Sequence, residues 1–300
     1  MELLKFLNLV KKKQVLEVVK NIVLKKGGIK PILVDLFYKK KSKKMPIVIF
    51  CHGYKGFKDW GAWNLVGKEF ANKNFFFIKF NFSHNGGTMK NPIDFPDLEA
   101  FGNNNFSHEL NDLERVLDFV SCEKSVFKNI DLNNIFLIGH SRGGGTCAIK
   151  AAENKKIKGL ISWAGVSDFE SRFNVGSEEF KKWKSSGVKF VENGRTKQQM
   201  PHYFQFYLDF KNNAKRFNVK SAVNMLKIPY LIIHGDEDKA VKINEGYDLH
   251  SWNKNNKLII IKNGGHTFGS KHPWQESILP KDLQNVVNQS IDYINSYLNF

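Results

Sequence analysis

The sequence predicts an α/β fold, an open and mostly parallel sheet of eight strands with helices on both faces. Three observations predict it. Short apolar runs such as IVIF (47–50), IFLI (135–138), YLII (230–233) and LIII (258–261) are continuous instead of alternating, the pattern of strands buried on both faces. Stretches with three- and four-residue apolar spacing lie between the later runs. One run, 135–138, passes straight into Gly139-His140-Ser141-Arg142-Gly143, with helix-competent sequence after it.

Taken in order, the candidate strands cover residues 15–24, 32–38, 47–51, 75–82, 135–138, 157–163, 230–233 and 258–261. Lys25-Lys26-Gly27-Gly28 separates the first two, a hairpin signal, so the sheet is expected to start antiparallel. Residues 62–72 place Leu65, Val66 and Phe70 at helical spacing. Residues 108–122 do the same with Leu110, Leu113, Val116, Leu117 and Val120; Ser107 is the expected cap and Asp112 the first-turn acid. Residues 283–298 close the chain as an amphipathic helix. Strands alternating with helices imply right-handed crossovers. The interval 164–229 is too long for one crossover and is rich in aromatics, from Phe169 to Phe210. Several short helices forming a small cap, about 165–228, are expected there, inserted between strands six and seven of a single domain spanning 1–300.

Composition excludes several classes. The chain has 300 residues and 42% hydrophobic content, normal for a globular protein. Its three cysteines, Cys51, Cys122 and Cys147, give neither a disulfide framework nor metal-type spacing, which favours a reducing, cytoplasmic location. No apolar run approaches the ~18 residues of a membrane span, so no integral membrane segment is expected. Residues 1–10 read as mature chain, because Lys11-Lys12-Lys13 follows the apolar stretch instead of preceding it. The net charge of +17 invites nucleic acid as a partner, but only five of the 46 basic residues are Arg, the preferred bidentate reader of phosphates and bases. A solvated Lys-rich surface is the expectation, with no nucleic-acid partner.

Four strand ends carry chemistry. The tight strand-to-helix turn at Gly139-x-Ser141-x-Gly143 raises a serine hydroxyl above the sheet and aims N–H groups at one point. Ser141 is the expected nucleophile. The loop Cys51-His52-Gly53-Tyr54-Lys55-Gly56 follows a second buried strand. There the backbone N–H of Tyr54, together with that of Arg142, is expected to bind a developing oxyanion, while His52 braces the loop. In His234-Gly235-Asp236-Glu237-Asp238, Asp238 is the expected acid, Asp236 shapes the turn through its side chain, and Glu237 is solvated. His266, in Gly264-Gly265-His266, is the expected general base; the remaining histidines are read as structural or surface groups. For the substrate, His84 and Asn85 after the fourth strand are candidates to line the pocket or else to brace it, and Trp183 and Arg172 in the cap are the other candidates. Arg172, Arg195 and the Lys-rich surface fit either steering of an anionic substrate or a salt bridge inside the cap.

The order Ser141, Asp238, His266 resembles that of α/β-hydrolase-fold serine hydrolases. The HGYKGFKDW loop (52–60) is similar to that of dienelactone-hydrolase-like proteins and cinnamoyl (feruloyl) esterases. The resemblance covers residues from about 15 to the C-terminus. It departs from dienelactone hydrolases in having Ser141 where they use cysteine, and Cys147 reads as a buried helix residue. The resemblance implies an eight-stranded sheet, a lid between strands six and seven, and hydrolysis of carboxylic esters through an acyl-enzyme. A peptidase or amidase of the acyl-aminopeptidase type, a thioesterase, and a non-enzymatic binding protein on the same fold are the competing readings. No cofactor and no metal are called for, and no G-x-G-x-x-G or P-loop pattern occurs. The expected partners are a small-molecule ester and, as an option, a second copy in a homodimer.

Overall fold

The computed structural model describes residues 15–40, 44–122 and 129–298. The reading of residues 1–10 therefore lies outside the described residues. Strands β1 (Leu16–Leu24), β2 (Ile32–Lys39), β3 (Met45–Cys51), β4 (Phe76–Asn81), β5 (Ile130–His140), β6 (Ile157–Trp163), β9 (Tyr230–Gly235) and β10 (Asn256–Ile261) form one sheet. Its order is β1-β2-β4-β3-β5-β6-β9-β10. β1 and β2 pair antiparallel, as the Gly27-Gly28 turn predicts, and β2 also runs antiparallel to β4. From β4 to β10 every pairing is parallel.

Helices cover both faces because the strands are apolar on both. Val48 and Phe50 of β3 join Trp63, Val66 and Phe70 of α1 (Trp63–Asn72) in one core, which α9 (Lys281–Tyr297) closes with Leu283, Val286 and Ile294. Ile47, Ile49 and Cys51 of the same strand face the opposite core. Packed there are Leu113 and Leu117 of α3 (Phe106–Cys122), Cys147 of α4 (Arg142–Glu153) and Leu249 of α8 (Ile243–Ser251). Each fully buried large apolar side chain contributes roughly 1.5–3 kcal/mol. Cys51 and Cys147 are both buried, as expected of Cys147.

Two local expectations need correction. α3 starts at Phe106, and its cap is Asn105, whose Oδ1 accepts the His108 N–H at 2.8 Å. Ser107 bonds Asp209 instead, and Asp112 lies a turn further in, accepting the Ser83 N–H at 2.7 Å. The insertion between β6 and β9 is mixed instead of helical. It holds a 3₁₀ turn (Ser171–Phe173), α5 (Glu178–Ser186), α6 (Gln205–Asn212) and α7 (Val219–Met225), but also an antiparallel hairpin, β7 (Val188–Glu192) with β8 (Gln199–Tyr203). The hairpin forms where Asn193-Gly194 favours a turn between two short segments. A second, α2 (Leu98–Gly102), is a short helix capped by Asp97 on the way from β4 to α3.

β4 and β5 lie on opposite sides of β3, so the connections after β3 and β5 part company there. This is the topological switch point at which open parallel sheets form a crevice at their strand C-termini. The loops after β3, β5, β9 and β10 all open onto that edge. Among the described residues no helix is long and apolar enough to cross a membrane.

Candidate active site

Ser141 stands between β5 and α4 with φ 57° and ψ −124°, backbone angles that cost a non-glycine residue about 1–3 kcal/mol. The surroundings enforce them. The Ser141 N–H donates to Trp163 O at 2.9 Å, and its carbonyl accepts from Gly144 and Val166 at 2.9 and 3.1 Å. The turn is tight enough that a Cβ on Gly139 would lie 2.2 Å from the Gly143 carbonyl oxygen. A Cβ on Gly53 would lie 2.8 Å from Ser141 Cβ, so only glycine lets the loop after β3 approach the hydroxyl.

The three residues singled out from separate strand ends meet. His266 Nε2 lies 3.0 Å from Ser141 Oγ, and His266 Nδ1 lies 2.8 Å from Asp238 Oδ2. Asp238 Oδ1 accepts the N–H groups of Ala240 and Val241 at 2.8 and 2.9 Å. Asp238 therefore shapes its own turn, the task expected of Asp236; Asp236 and Glu237 are both exposed. His234, His266 and these backbone donors hold the Asp238 carboxyl well below the usual carboxylate range, against a burial that would raise it. A carboxylate on Nδ1 leaves Nε2 free of its proton and facing the hydroxyl.

Three further histidines sit at strand ends and act on the same loops. His52 Nδ1 donates to Gly53 O at 2.9 Å while its Nε2 accepts the Phe82 N–H at 3.3 Å, which is the bracing expected of it. His140 Nε2 donates to the backbone oxygen of His266 at 2.9 Å. His234 Nε2 donates to Val241 O at 2.9 Å and lies 3.5 Å from Asp238 Oδ2. Burial keeps His52 neutral, lowering its pKa to about 4, and burial with His266 nearby lowers that of His140 to about 3. His140 and His234 are thus structural groups, one of the two roles expected of the remaining histidines, and their position beside Ser141 and Gly235 puts that role at the site.

The cavity over Ser141 has a volume of about 550 Å³. Tyr54 and Arg142 line it with Phe106, Phe169, Phe173 and Phe206, so the wall is largely aromatic. The Arg142 guanidinium lies 4.6 Å from the Tyr54 ring centroid and 3.5 Å from the buried Glu109 carboxylate. Arg142 is also the first residue of α4, where backbone N–H groups have no carbonyl one turn back. Trp183 and Arg172 line the cavity as expected. Trp183 is fixed by donating to His202 O at 2.7 Å, and Arg172 is paired with Glu245. His84 and Asn85 do not line it. His84 stacks on His108 at 4.2 Å and bonds Ser83, while Asn85 donates to Gly56 O at 3.2 Å and accepts from Gly87. Both are buried: Asn85 braces the loop after β3 through Gly56, and His84 packs on α3 through His108. His202, Lys189 and Phe106 are lining residues that the sequence reading missed. Among the described residues no group of three or more His, Cys, Asp or Glu is placed to hold a metal ion.

Comparison with known proteins follows the same lines. The sequence model of the BD-FAE family matches residues 34–253. The chain belongs to the BD-FAE family. A Mycoplasma genitalium protein with an esterase/lipase name is 27% identical over 78% of the chain and 87% of its own length. A monoacylglycerol lipase of Mus musculus is 23% identical over 79% and 75%. Among solved structures, Est1E from Butyrivibrio proteoclasticus superposes with a TM-score of 0.69 at 17% identity, covering 93% of this chain and 98% of its own. The same enzyme has been solved with ferulic acid bound. A Pyrococcus horikoshii acylaminoacyl peptidase superposes at 0.66 with 16% identity, over 97% of this chain and 43% of its own. These structural likenesses carry the fold, the α/β-hydrolase fold. The family and the esterase/lipase relatives make this BD-FAE protein an esterase/lipase-type hydrolase.

Proposed function

We propose that this BD-FAE protein is a serine hydrolase that cleaves carboxylic esters through an acyl-enzyme on Ser141. The observation that carries the reading is the continuous Ser141–His266–Asp238 hydrogen-bond chain, 3.0 and 2.8 Å, in a residue whose backbone is held at φ 57°. His266 Nε2 takes the hydroxyl proton as Oγ attacks the acyl carbon. Asp238 holds the imidazole tautomer and stabilises the imidazolium. The tetrahedral oxyanion settles against the N–H groups of Tyr54 and Arg142, each such donor being worth roughly 3 kcal/mol. His266 then protonates the leaving alcohol, and water, activated by the same imidazole, releases the acid. The aromatic surface of the cavity gives the apolar part of an ester a place to pack beside Ser141.

The test is labelling with a fluorophosphonate together with turnover of p-nitrophenyl esters. Ser141→Ala abolishes labelling and lowers kcat/KM by a factor on the order of 10⁴ or more. Persistence of either in the variant overturns the proposal. Matched ester, thioester and anilide substrates separate the esterase from thioesterase and amidase readings; the ester is expected to be cleaved fastest.

A further inference from the structure

The β7–β8 hairpin turns one face toward the cavity. Lys189 pairs with His202 across the two strands, so both side chains project from the same face. Both line the cavity with Val191, whereas the intervening Phe190 points outward and is 59% exposed. Lys55 and Arg142 reach the same wall from the loop after β3 and from α4. The Lys55 ammonium lies 5.1 Å from the Tyr54 ring centroid and the Arg142 guanidinium 4.6 Å. The Tyr54 hydroxyl donates to His202 Nε2 at 2.9 Å, and His202 Nδ1 faces Met200 O. Burial and then the charges of Arg142, Lys189 and Lys55 push the His202 pKa down to about 3, so this ring adds no counter-charge and no positive charge of its own.

The charge balance at this wall is incomplete. Arg142 faces Glu109, and Arg172 is paired with Glu245. Lys189 has Glu179 at 3.3 Å, but that carboxylate is 71% exposed and screened by water. Lys55 donates to the backbone oxygen of Glu192 at 3.3 Å and lies over the Tyr54 ring, but among the described residues no carboxylate lies within ion-pair distance of it. Burial lowers the Lys55 pKa, as for a cation partly stripped of water with no counter-charge beside it. Its backbone is also left-handed, φ 52°. None of the described side chains lining the cavity is Asp or Glu. An incoming anion would supply Lys55 with a counter-charge, meet Lys189 on the same wall and find aromatic surface alongside.

We propose that the cavity selects esters bearing a second, anionic group, an oxyanion such as a carboxylate or phosphate that sits between Lys55 and Lys189 while the ester carbonyl lies at Ser141. This rests on the serine-hydrolase reading above. The substrate is therefore a half-ester or a phosphorylated ester in preference to a neutral one.

The experiment compares kcat/KM for p-nitrophenyl hydrogen glutarate and p-nitrophenyl 4-phosphonobutyrate with that for neutral p-nitrophenyl hexanoate. The wild-type chain prefers one or both anionic esters, and which one identifies carboxylate or phosphate as the natural charge. Raising salt from 0.05 to 0.5 M, both approximate, erodes the preference as screening shortens the reach of the lysines. Lys55→Gln/Lys189→Gln lowers the anionic-to-neutral ratio by about tenfold, and Lys55→Arg/Lys189→Arg restores most of it. Lys189→Gln alone, on a two-stranded hairpin away from the sheet, lowers the ratio by a smaller factor if the double variant fails to fold. A wild-type ratio near one, or a ratio that the glutamine variants leave unmoved, overturns the anion site. If Ser141 is still labelled by the fluorophosphonate in that case, the hydrolase reading stands. Absence of labelling and of all ester turnover overturns both.

Discussion

Ser141 carries positive-φ strain because three hydrogen bonds from neighbouring strands and α4 fix its backbone on either side. The result is a fixed Cα–Cβ direction that presents the hydroxyl to His266 at 3.0 Å. His140 supplies a second restraint, since its Nε2–H holds the His266 carbonyl at 2.9 Å while its ring packs 5.4 Å from Trp63. It is a positioning residue with no contact to the reacting atoms. His140→Ala is expected to lower kcat by about tenfold, leave KM within about twofold, and be partly rescued by His140→Gln, which returns a donor. Steady-state kinetics on one ester decide it; an equal rise in KM would point to damage of the cavity instead. Asp238→Asn leaves the carbonyl oxygen and its turn in place but removes the charge that fixes the imidazole tautomer. It is expected to lower kcat by roughly 10³–10⁴, read by the same assay with fluorophosphonate labelling slowed in parallel.

Among elements, the loop after β3 is held from below by a buried box of charges. Asp35 of β2 contacts Lys79 of β4 at 2.7 Å and Lys58 of the loop at 2.9 Å, and Asp59 completes it at 2.9 Å from Lys79. Both lysines and Asp35 are fully buried. Lys20 reaches Asp59 from the outside at 3.4 Å, so losing the Asp35 charge would leave the two buried lysines to share the one carboxylate that an exposed lysine also meets. Asp35→Asn is expected to cost about 3–5 kcal/mol of stability, measured by urea unfolding. A double change of Asp35 and Lys79 to apolar residues should recover part of that loss. Gly139→Ala is the corresponding test of the elbow: its Cβ meets backbone 2.2 Å away, which no rotamer relieves. Loss of folded protein, seen as a lowered unfolding midpoint or insolubility, is the expected outcome. The β7–β8 hairpin is the element that the sequence analysis left out. Its two strands are five residues each, separated by residues 193–198, and neither alternates cleanly, so nothing in the chain marks them within an aromatic-rich interval.

The whole molecule stores several histidines in their neutral form. His52 and His84 are lowered to about 4 by burial, and His140 and His202 to about 3. In the unfolded chain each would bind a proton near pH 6.5. Between pH 6 and 4 the unfolded state thus holds up to four more protons on these groups, and stability falls as pH falls through that window. Asp112 works in the opposite sense, because burial raises its pKa to about 6 and the folded state keeps that proton first. The net slope approaches three protons. Unfolding midpoints measured from pH 7 to 4.5 should drop steeply below pH 6; a flat profile would contradict the buried, neutral assignment of these rings.

Fold class and the Ser141, Asp238 and His266 set were legible because each is written locally, as a continuous apolar strand ending in a glycine-containing turn. The antiparallel start followed from the Gly27-Gly28 turn between the first two runs, whereas the placing of β4 between β2 and β3 is a matter of tertiary pairing that no run spells out. Substrate contacts were not legible. His84 and Asn85 share the sheet edge with Ser141 in the sequence reading, yet packing buries them, Asn85 against Gly56 of the loop after β3 and His84 against His108. Lys189 and His202 stand in the middle of the insertion with no motif about them, and only hairpin pairing turns them inward. Strand and turn chemistry is decided by near neighbours in the chain. Which side chains enclose a cavity is decided by how an insertion folds back across some sixty residues, a choice made by the packing of its aromatic face and by charges that find each other only in three dimensions.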